Sequence, residues 1–401
     1  MKKFANFAMN SQNPNWKKAI KREEELYSSA YTTELIRDEF DRDFTRVLNS
    51  NAYKRLKHKT QVFYAPENDH ICTRIEHVNL VDSISYNIAQ YLGLNTELTR
   101  AIAIAHDLGH SPFGHQGEKV LSQISEEFTG EKFWHEKNGL YYVENIGLLE
   151  DYNGVERNLN LTYAVRDGII SHCGEVDENS LKPRKEYIDL KDYTYPNQYS
   201  PYTWEACVVK ISDKISYIGR DIDDALRMNV LNERDVARIN KMVETIKVSN
   251  SNIINYLVAD VCMNSTPEEG LKFSEEALET MNGLKKFNLE KIYLGEFIQP
   301  SIRYSKLVIN EVFYTLFKAF DKENTLKNLK KLKRYYPKLI SEFIEWLANY
   351  SEIDLRKTEK YNNKILYNLG KKEDYVRAIL VYISGMTDNY IIKVYNEIVG
   401  F

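Results

Sequence analysis

Residues 101–110 read AIAIAHDLGH. Five small apolar residues run straight into His106 and Asp107, and Gly109 breaks the run. A helix that is apolar on every side belongs in a protein interior. The acid at its end is then buried as well. A buried carboxylate must be paired, hydrogen-bonded or bound to a metal, because stripping it of water is otherwise too costly. The stretch sets two expectations: a core helix over 97–108, and a partner for Asp107.

The rest of the chain agrees with a helical interior. Among 401 residues, glycine (17) and proline (9) are scarce, and scarce breakers favour helices. The length suits one large domain or two ordinary ones. Apolar-periodic runs over 71–92, 97–108, 113–128 and 204–228 predict amphipathic or buried helices. Residues 234–401 read as successive helices with charged faces. Residues 14–30 read as a short polar helix, and 174–203 as the clearest loop. The class is all-α, with at most a small β-hairpin placed in 174–203. The net charge of −4 excludes a general nucleic-acid coat, which needs a strong basic excess. Cys72, Cys173, Cys207 and Cys262 show no C-x-x-C spacing, so they read as free thiols in a reducing compartment. The first residues hold no apolar run of about 7–15 residues, and no segment reaches the about 18–20 of a membrane span. The expectation is a cytoplasmic protein.

On a helix, His106 and Asp107 are about 100° apart, so both can lean toward one ion. Two ligands are too few. His77 shares a helical face with Val81, Ile84 and Ile88, which is the buried one. Such a histidine is more often a hydrogen-bonded core residue, but Arg74 lies close to the same stripe. An arginine there is costly unless an anion or a cleft receives it. A fourth ligand should be a carboxylate. In 204–228, Asp213, Tyr217, Arg220, Asp221 and Asp224 gather on the face opposite the apolar one. That face fits a solvated surface, and it also fits a sugar-binding wall; periodicity leaves the two open. Mixed nitrogen and oxygen ligands suit Mn, Fe, Co, Ni or Zn, and Mg at open positions.

Just beyond comes GHSPFGHQGEKVLSQI, where Pro112 or Phe113 can open a helix. His115 and Glu118 then stand at i, i+3 on one face. A carboxylate on an imidazole fixes its tautomer and raises its basicity, which builds a base for water. His110 is looser: it can ligate, bind phosphate or cap the helix. The basic segment 42–59 fits either a solvated face or a phosphate-contacting wall. No G-x-x-x-x-G-K-[ST] or G-x-G-x-x-G occurs, so a P-loop is excluded.

The pattern His77, His106–Asp107 and Asp213 resembles the H…HD…D of the HD superfamily of metal-dependent phosphohydrolases. The longer string HDLGHSPFGHQGE is similar to the deoxyguanosine triphosphate triphosphohydrolase branch. FDRDFTRVLNSNAYKRLKHKTQVF (40–63) and YISGMTDNY (382–390) are similar to that branch's N-terminal and C-terminal blocks. The resemblance implies an HD-domain helical fold in a single unit over 1–401, with a catalytic core over about 60–230 and a C-terminal helical region beyond it. It implies one divalent metal, Mn or Mg first, on His77, His106, Asp107 and Asp213. It implies hydrolysis of a dNTP, dGTP first, to the deoxynucleoside and inorganic triphosphate. His115 and Glu118 would activate the attacking water. Arg74, Lys214, His110 and His135 would contact the triphosphate, and Gln61, Tyr217 and Asp221 the deoxyribose. It also implies a homo-oligomer, with a hexamer as the expected form, and an allosteric nucleotide or single-stranded DNA as further partners. Two other readings are a nucleoside monophosphate phosphatase and a single-stranded nucleic-acid-binding regulatory protein with an inactive site. The basic block and Lys214 disfavour the first; the intact H…HD…D with His115 and Glu118 disfavours the second.

Overall fold

The computed structural model describes residues 2–24, 37–64, 68–151, 153–173, 179–243 and 249–400. The described residues are helical, with one two-stranded antiparallel hairpin. The chain forms two compact units, each assembled from three segments: Met1–Leu48, Glu67–Asp107 and Leu161–Pro300 in the first, and Asn49–Pro66, Leu108–Asn160 and Ser301–Phe401 in the second.

In the first unit, the Arg74–Leu92 helix opens on Thr73, whose backbone N–H donates to Glu76 Oε2 at 2.8 Å. It stops at Gly93, where φ of +89° asks for a residue without Cβ. The Thr96–Ala105 helix follows, with Asn95 Oδ1 accepting the Leu98 N–H at 3.0 Å. Ala101 to Ala105 are all at most 2% exposed, as an all-round apolar helix requires. Fully burying Ile102 and Ile104 contributes roughly 1.5–3 kcal/mol each. The Thr96–Ala105 helix packs on Arg74–Leu92, on Tyr163–Ser171 and on the long Trp204–Arg227 helix. Asn250–Asn264 and Glu275–Asn288 complete the layer around Trp204–Arg227.

In the second unit, Gly114–Thr129 packs against Lys372–Ser384. Pro337–Tyr350 packs against Thr325–Leu332, Lys372–Ser384 and Asp388–Val399. The C-terminal block YISGMTDNY holds the segment ahead of Gly114. Asp388, 2% exposed, accepts the Phe113 N–H on Oδ1 and the Thr60 N–H on Oδ2, both at 2.9 Å. The buried Lys59 ammonium donates to the carbonyls of His110 and Ser384. A Cβ at Gly109 would lie 2.0 Å from the His135 carbonyl oxygen, so only glycine lets the segment approach the His135–Tyr141 helix.

Two expectations are corrected. The 14–30 helix is a single turn, Trp16–Ala19, among the described residues, and 25–30 lies outside them. No side chain caps so short an element, which leaves its first N–H groups without a capping acceptor. The hairpin lies not in 174–203 but at Leu148–Glu150 and Glu156–Asn158, paired Leu148↔Asn158 and Glu150↔Glu156. Its turn is built by Asp151, whose Oδ1 accepts the Asn153 N–H at 2.8 Å and the Val155 N–H at 3.0 Å. The Asn153-Gly154 pair was the available signal. The described part of 174–203 holds only a short 3-10 turn, Leu190–Asp192, and a single bridge from Leu181 to Leu271.

Candidate active site

The residues singled out from the sequence fall into two groups, one in each unit. The first surrounds Asp107. Its Oδ2 accepts from Arg74 Nη1 at 2.6 Å and lies 3.8 Å from His77 Nε2, while Oδ1 lies 3.4 Å from His106 Nε2. Asp213 Oδ1 lies 3.1 Å from His77 Nε2 and 3.9 Å from His106 Nε2. Four residues from three helices therefore converge on one point. Helix ends and register explain why. His106 caps the Thr96–Ala105 helix and Asp107 follows it, His77 sits in the first turn of Arg74–Leu92, and Asp213 lies mid-way along Trp204–Arg227.

The tautomers are set by the backbone. His106 Nδ1 is 2.6 Å from the Ala103 carbonyl oxygen, so Nδ1–H donates and Nε2 keeps its lone pair. Ser216 Oγ donates to the Asp213 carbonyl at 2.7 Å and so accepts from His77 Nδ1 at 3.2 Å, which leaves the His77 lone pair on Nε2 as well. His106 Nε2 is buried and has no hydrogen-bond partner among the described residues. A buried acceptor of this kind, facing carboxylates rather than donors, fits a divalent cation. Without an ion, the groups pair with each other. Burial alone would lower the His77 pKa, but the Asp213 hydrogen bond and the Asp107 and Asp213 charges outweigh it and the net is upward. Burial would raise Asp213, yet the hydrogen bond and charge of His77 hold it well below the usual carboxylate range.

Arg74 is 1% exposed, and its Nε and Nη2 have no hydrogen-bond partner among the described residues. The polar face of Trp204–Arg227 is turned inward: Lys214, Asp221 and Asp224 are buried, and Tyr217 is half-buried. Asp221 Oδ2 accepts from the Tyr293 hydroxyl, while Oδ1 is buried with no hydrogen-bond partner among the described residues. Burial pushes the Asp221 carboxyl up to about 7 against the pull of Tyr293. Burial also pushes Asp224 up to about 6, although the Cys72 N–H donates to its Oδ2 at 3.0 Å.

A carboxyl whose folded pKa lies above its ordinary 3.8 binds its proton more tightly in the folded state. Its contribution to stability is fully present below 3.8, falls as pH rises to about 7, and is then level. Moving a carboxyl from 3.8 to about 7 corresponds to roughly 4 kcal/mol. Asp221→Asn keeps an acceptor for Tyr293 and removes the charge. The variant should unfold at higher denaturant than the wild type at pH 8, with the gap closing toward pH 4. A gap independent of pH would refute the assignment.

The second group lies in the second unit. His115 and Glu118 stand in the first turns of Gly114–Thr129, with His115 Nδ1 3.3 Å from Glu118 Oε2. Glu118 is shared. His135 Nδ1 is 3.0 Å from the same oxygen, and the His135 N–H donates to Oε1 at 3.1 Å. Burial would raise the Glu118 pKa; His135 and His115 hold it well below the usual carboxylate range. His110 stacks on His135 with ring centroids 3.7 Å apart. His110 does not cap the helix, because Phe113 occupies that position at φ +61°. Gln61 follows the Thr60 held by Asp388, and its Oε1 is buried with no hydrogen-bond partner among the described residues.

Sequence reasoning missed two residues. Tyr293 carries no signal in its own surroundings. His172 does: in 163–173, YAVRDGIISHC, an apolar helix ends in a histidine as 101–106 does.

Residues 74–218 match the HD domain family. With the geometry above, this makes the protein a phosphohydrolase of the HD superfamily. A deoxyguanosinetriphosphate triphosphohydrolase-like protein of Caldanaerobacter subterraneus subsp. tengcongensis is 34% identical over 364 residues, covering 90% of this chain and 85% of that one. One from Clostridium tetani is 30% identical over 370 residues, covering 90% and 86%. One from Rickettsia prowazekii is 30% identical over 373 residues, covering 90% and 92%. The chain belongs to the deoxyguanosinetriphosphate triphosphohydrolase-like family. No helix among the described residues is long and apolar enough to cross a membrane, and no disulfide forms among the described cysteines.

Proposed function

We propose that the protein hydrolyses deoxynucleoside triphosphates, dGTP first among them, to the deoxynucleoside and inorganic triphosphate, with one divalent ion held by His77, His106, Asp107 and Asp213. The observation that carries this reading is Arg74. It is a buried guanidinium joined to the Asp107 carboxylate, with two nitrogens that have no acceptor among the described residues. Such a cation calls for an anion, and a planar fork suits a phosphate. The relatives' names and the resemblance of the flanking motifs point to a nucleoside triphosphate as that anion.

When bound, the ion supplies Lewis-acid polarisation of a phosphoryl group. The chain's own residues do the rest. Arg74 and Lys214 bind phosphate oxygens, with His110 and His135 as further donors. His115 takes the proton of the attacking water, and Glu118 orients its ring and stabilises the imidazolium that forms. The oxygen of water joins the α-phosphorus, the P–O5′ bond breaks, and O5′ leaves with a proton. Asp221 and Gln61 hydrogen-bond the 3′-hydroxyl, and the Tyr217 ring packs on the sugar and excludes a 2′-hydroxyl. The catalytic core is proposed to run over about 60–230, around the matched 74–218. The chain acts as a homo-oligomer, and an allosteric nucleotide or single-stranded DNA sets its activity.

The test is a panel of dNTPs, NTPs and dNMPs, each with Mn²⁺ or Mg²⁺ and with or without a second dNTP. Products are resolved by ion-exchange chromatography. Inorganic triphosphate should appear with dNTPs and not with NTPs. Single-phosphate release from dNMPs with triphosphates left intact, or no turnover with any metal, would sink the reading.

A further inference from the structure

His172 is buried at the end of the Tyr163–Ser171 helix, and neither the HD pattern nor the proposed reaction gives it a task. Its Nδ1 lies 2.7 Å from the Ile169 carbonyl oxygen, three residues back. His106 makes the same contact with Ala103 at 2.6 Å. Both rings therefore donate Nδ1–H to the last turn of their own helix and keep a lone pair on Nε2. The two rings stand edge to face with centroids 4.9 Å apart. One ligand atom each from His106, Asp107 and His172 lie within 4.8 Å of one another, and all three residues are buried. His106 is also a member of the neighbouring group formed with His77 and Asp213.

A second observation concerns how His172 is held. Lys210 is 1% exposed, and its ammonium donates to the carbonyls of Ser171 at 3.1 Å and Cys173 at 2.5 Å, and to Asn197 Oδ1 at 2.7 Å. Burying an ammonium is costly unless its donors are used. Here two of three grip the backbone on either side of one histidine. That is how a ligand is given a fixed direction, by support from outside the coordination shell.

We propose that His172 is a fifth protein ligand of the metal centre, which then presents three imidazole nitrogens and two carboxylates to one ion. The inference rests on the reading of His77, His106, Asp107 and Asp213 as that centre. Two imidazole lone pairs and a carboxylate oxygen facing one point repel each other unless a cation lies between them. A nitrogen-rich set prefers Mn, Fe, Co, Ni or Zn to Mg, which favours oxygen ligands and keeps its waters.

The full-length protein is prepared with ¹⁵N-histidine, loaded with Mn²⁺ alone, and read by electron–nuclear double resonance for the number of coupled imidazole nitrogens. Three are expected in the wild type and two in His172→Phe, which fills the same volume. Mn²⁺ affinity should fall by about 10–100-fold in that variant. Its melting temperature in chelator should stay close to that of the wild type. Two nitrogens in the wild type, or three in both proteins, would overturn the role of His172 while leaving the four-ligand centre intact. Failure of the wild type to bind Mn²⁺ at all would instead overturn the centre. Should the Phe variant not fold, the wild-type count decides by itself.

Discussion

Asp107→Ala is expected to abolish divalent-ion binding and turnover together, and to destabilise the first unit by about 3–5 kcal/mol. The carboxylate serves two partners. One oxygen balances the Arg74 guanidinium at 2.6 Å, and the other faces His106 Nε2 at 3.4 Å. Truncation leaves a buried guanidinium without its hydrogen-bonded carboxylate, the case in which breaking an ion pair costs more than the pair itself contributes. It also removes one of two carboxylates that neutralise a divalent cation. Calorimetric titration with Mn²⁺, denaturant unfolding with chelator present, and triphosphate release give the three readouts. Wild-type turnover in the variant would show the assignment to be wrong. Loss of stability with metal binding retained would make Asp107 a partner of Arg74 only.

Glu118→Gln is expected to keep the metal and lose about 10²–10⁴-fold in rate, the range of a general base deprived of its support. Glu118 is ionised through the ordinary pH range because His135 and His115 hold its pKa down against burial. That charge orients the His115 ring at 3.3 Å and faces the proton the ring takes up, and the neutral amide cannot supply it. A carboxylate with a purely structural task would lower the yield of folded protein and leave the rate of the folded fraction close to that of the wild type. Loss of bound Mn²⁺ would instead make Glu118 a ligand.

Much of this site was legible in the chain. Local patterns carry local information. An apolar run ending in His-Asp predicted a buried helix with ligands at its C-terminal end, and Ala101 to Ala105 are buried. The i, i+3 spacing of His115 and Glu118 predicted a contact that is present at 3.3 Å. Helix starts followed Asn95 and Thr203, whose side chains cap the next helices. The Asn-Gly turn was equally local and was overlooked in favour of a longer, more polar loop.

Other features were not local. Periodicity shows that Asp213, Tyr217, Asp221 and Asp224 share a face, but it cannot say what covers that face. Solvent and cleft give the same sequence pattern, and only packing in the first unit decided that Asp221 and Asp224 are buried. The partner of Asp107 lies 33 residues away on another helix, and the short contact between them depends on how two helices cross. The role of Glu118 changed for the same reason, since His135, 17 residues on, binds the same oxygen as His115. By itself, then, the sequence determined the all-α class, the buried helix 101–106 and the chemical types gathered near it, because helix period and apolar burial act over a few residues. The tertiary structure alone decided the Arg74–Asp107 pair, the inward turn of the Trp204–Arg227 face, the sharing of Glu118 and the place of His172 beside His106. Each of these depends on which helix lands on which, and that is set by the summed packing of a whole unit rather than by any one stretch of chain.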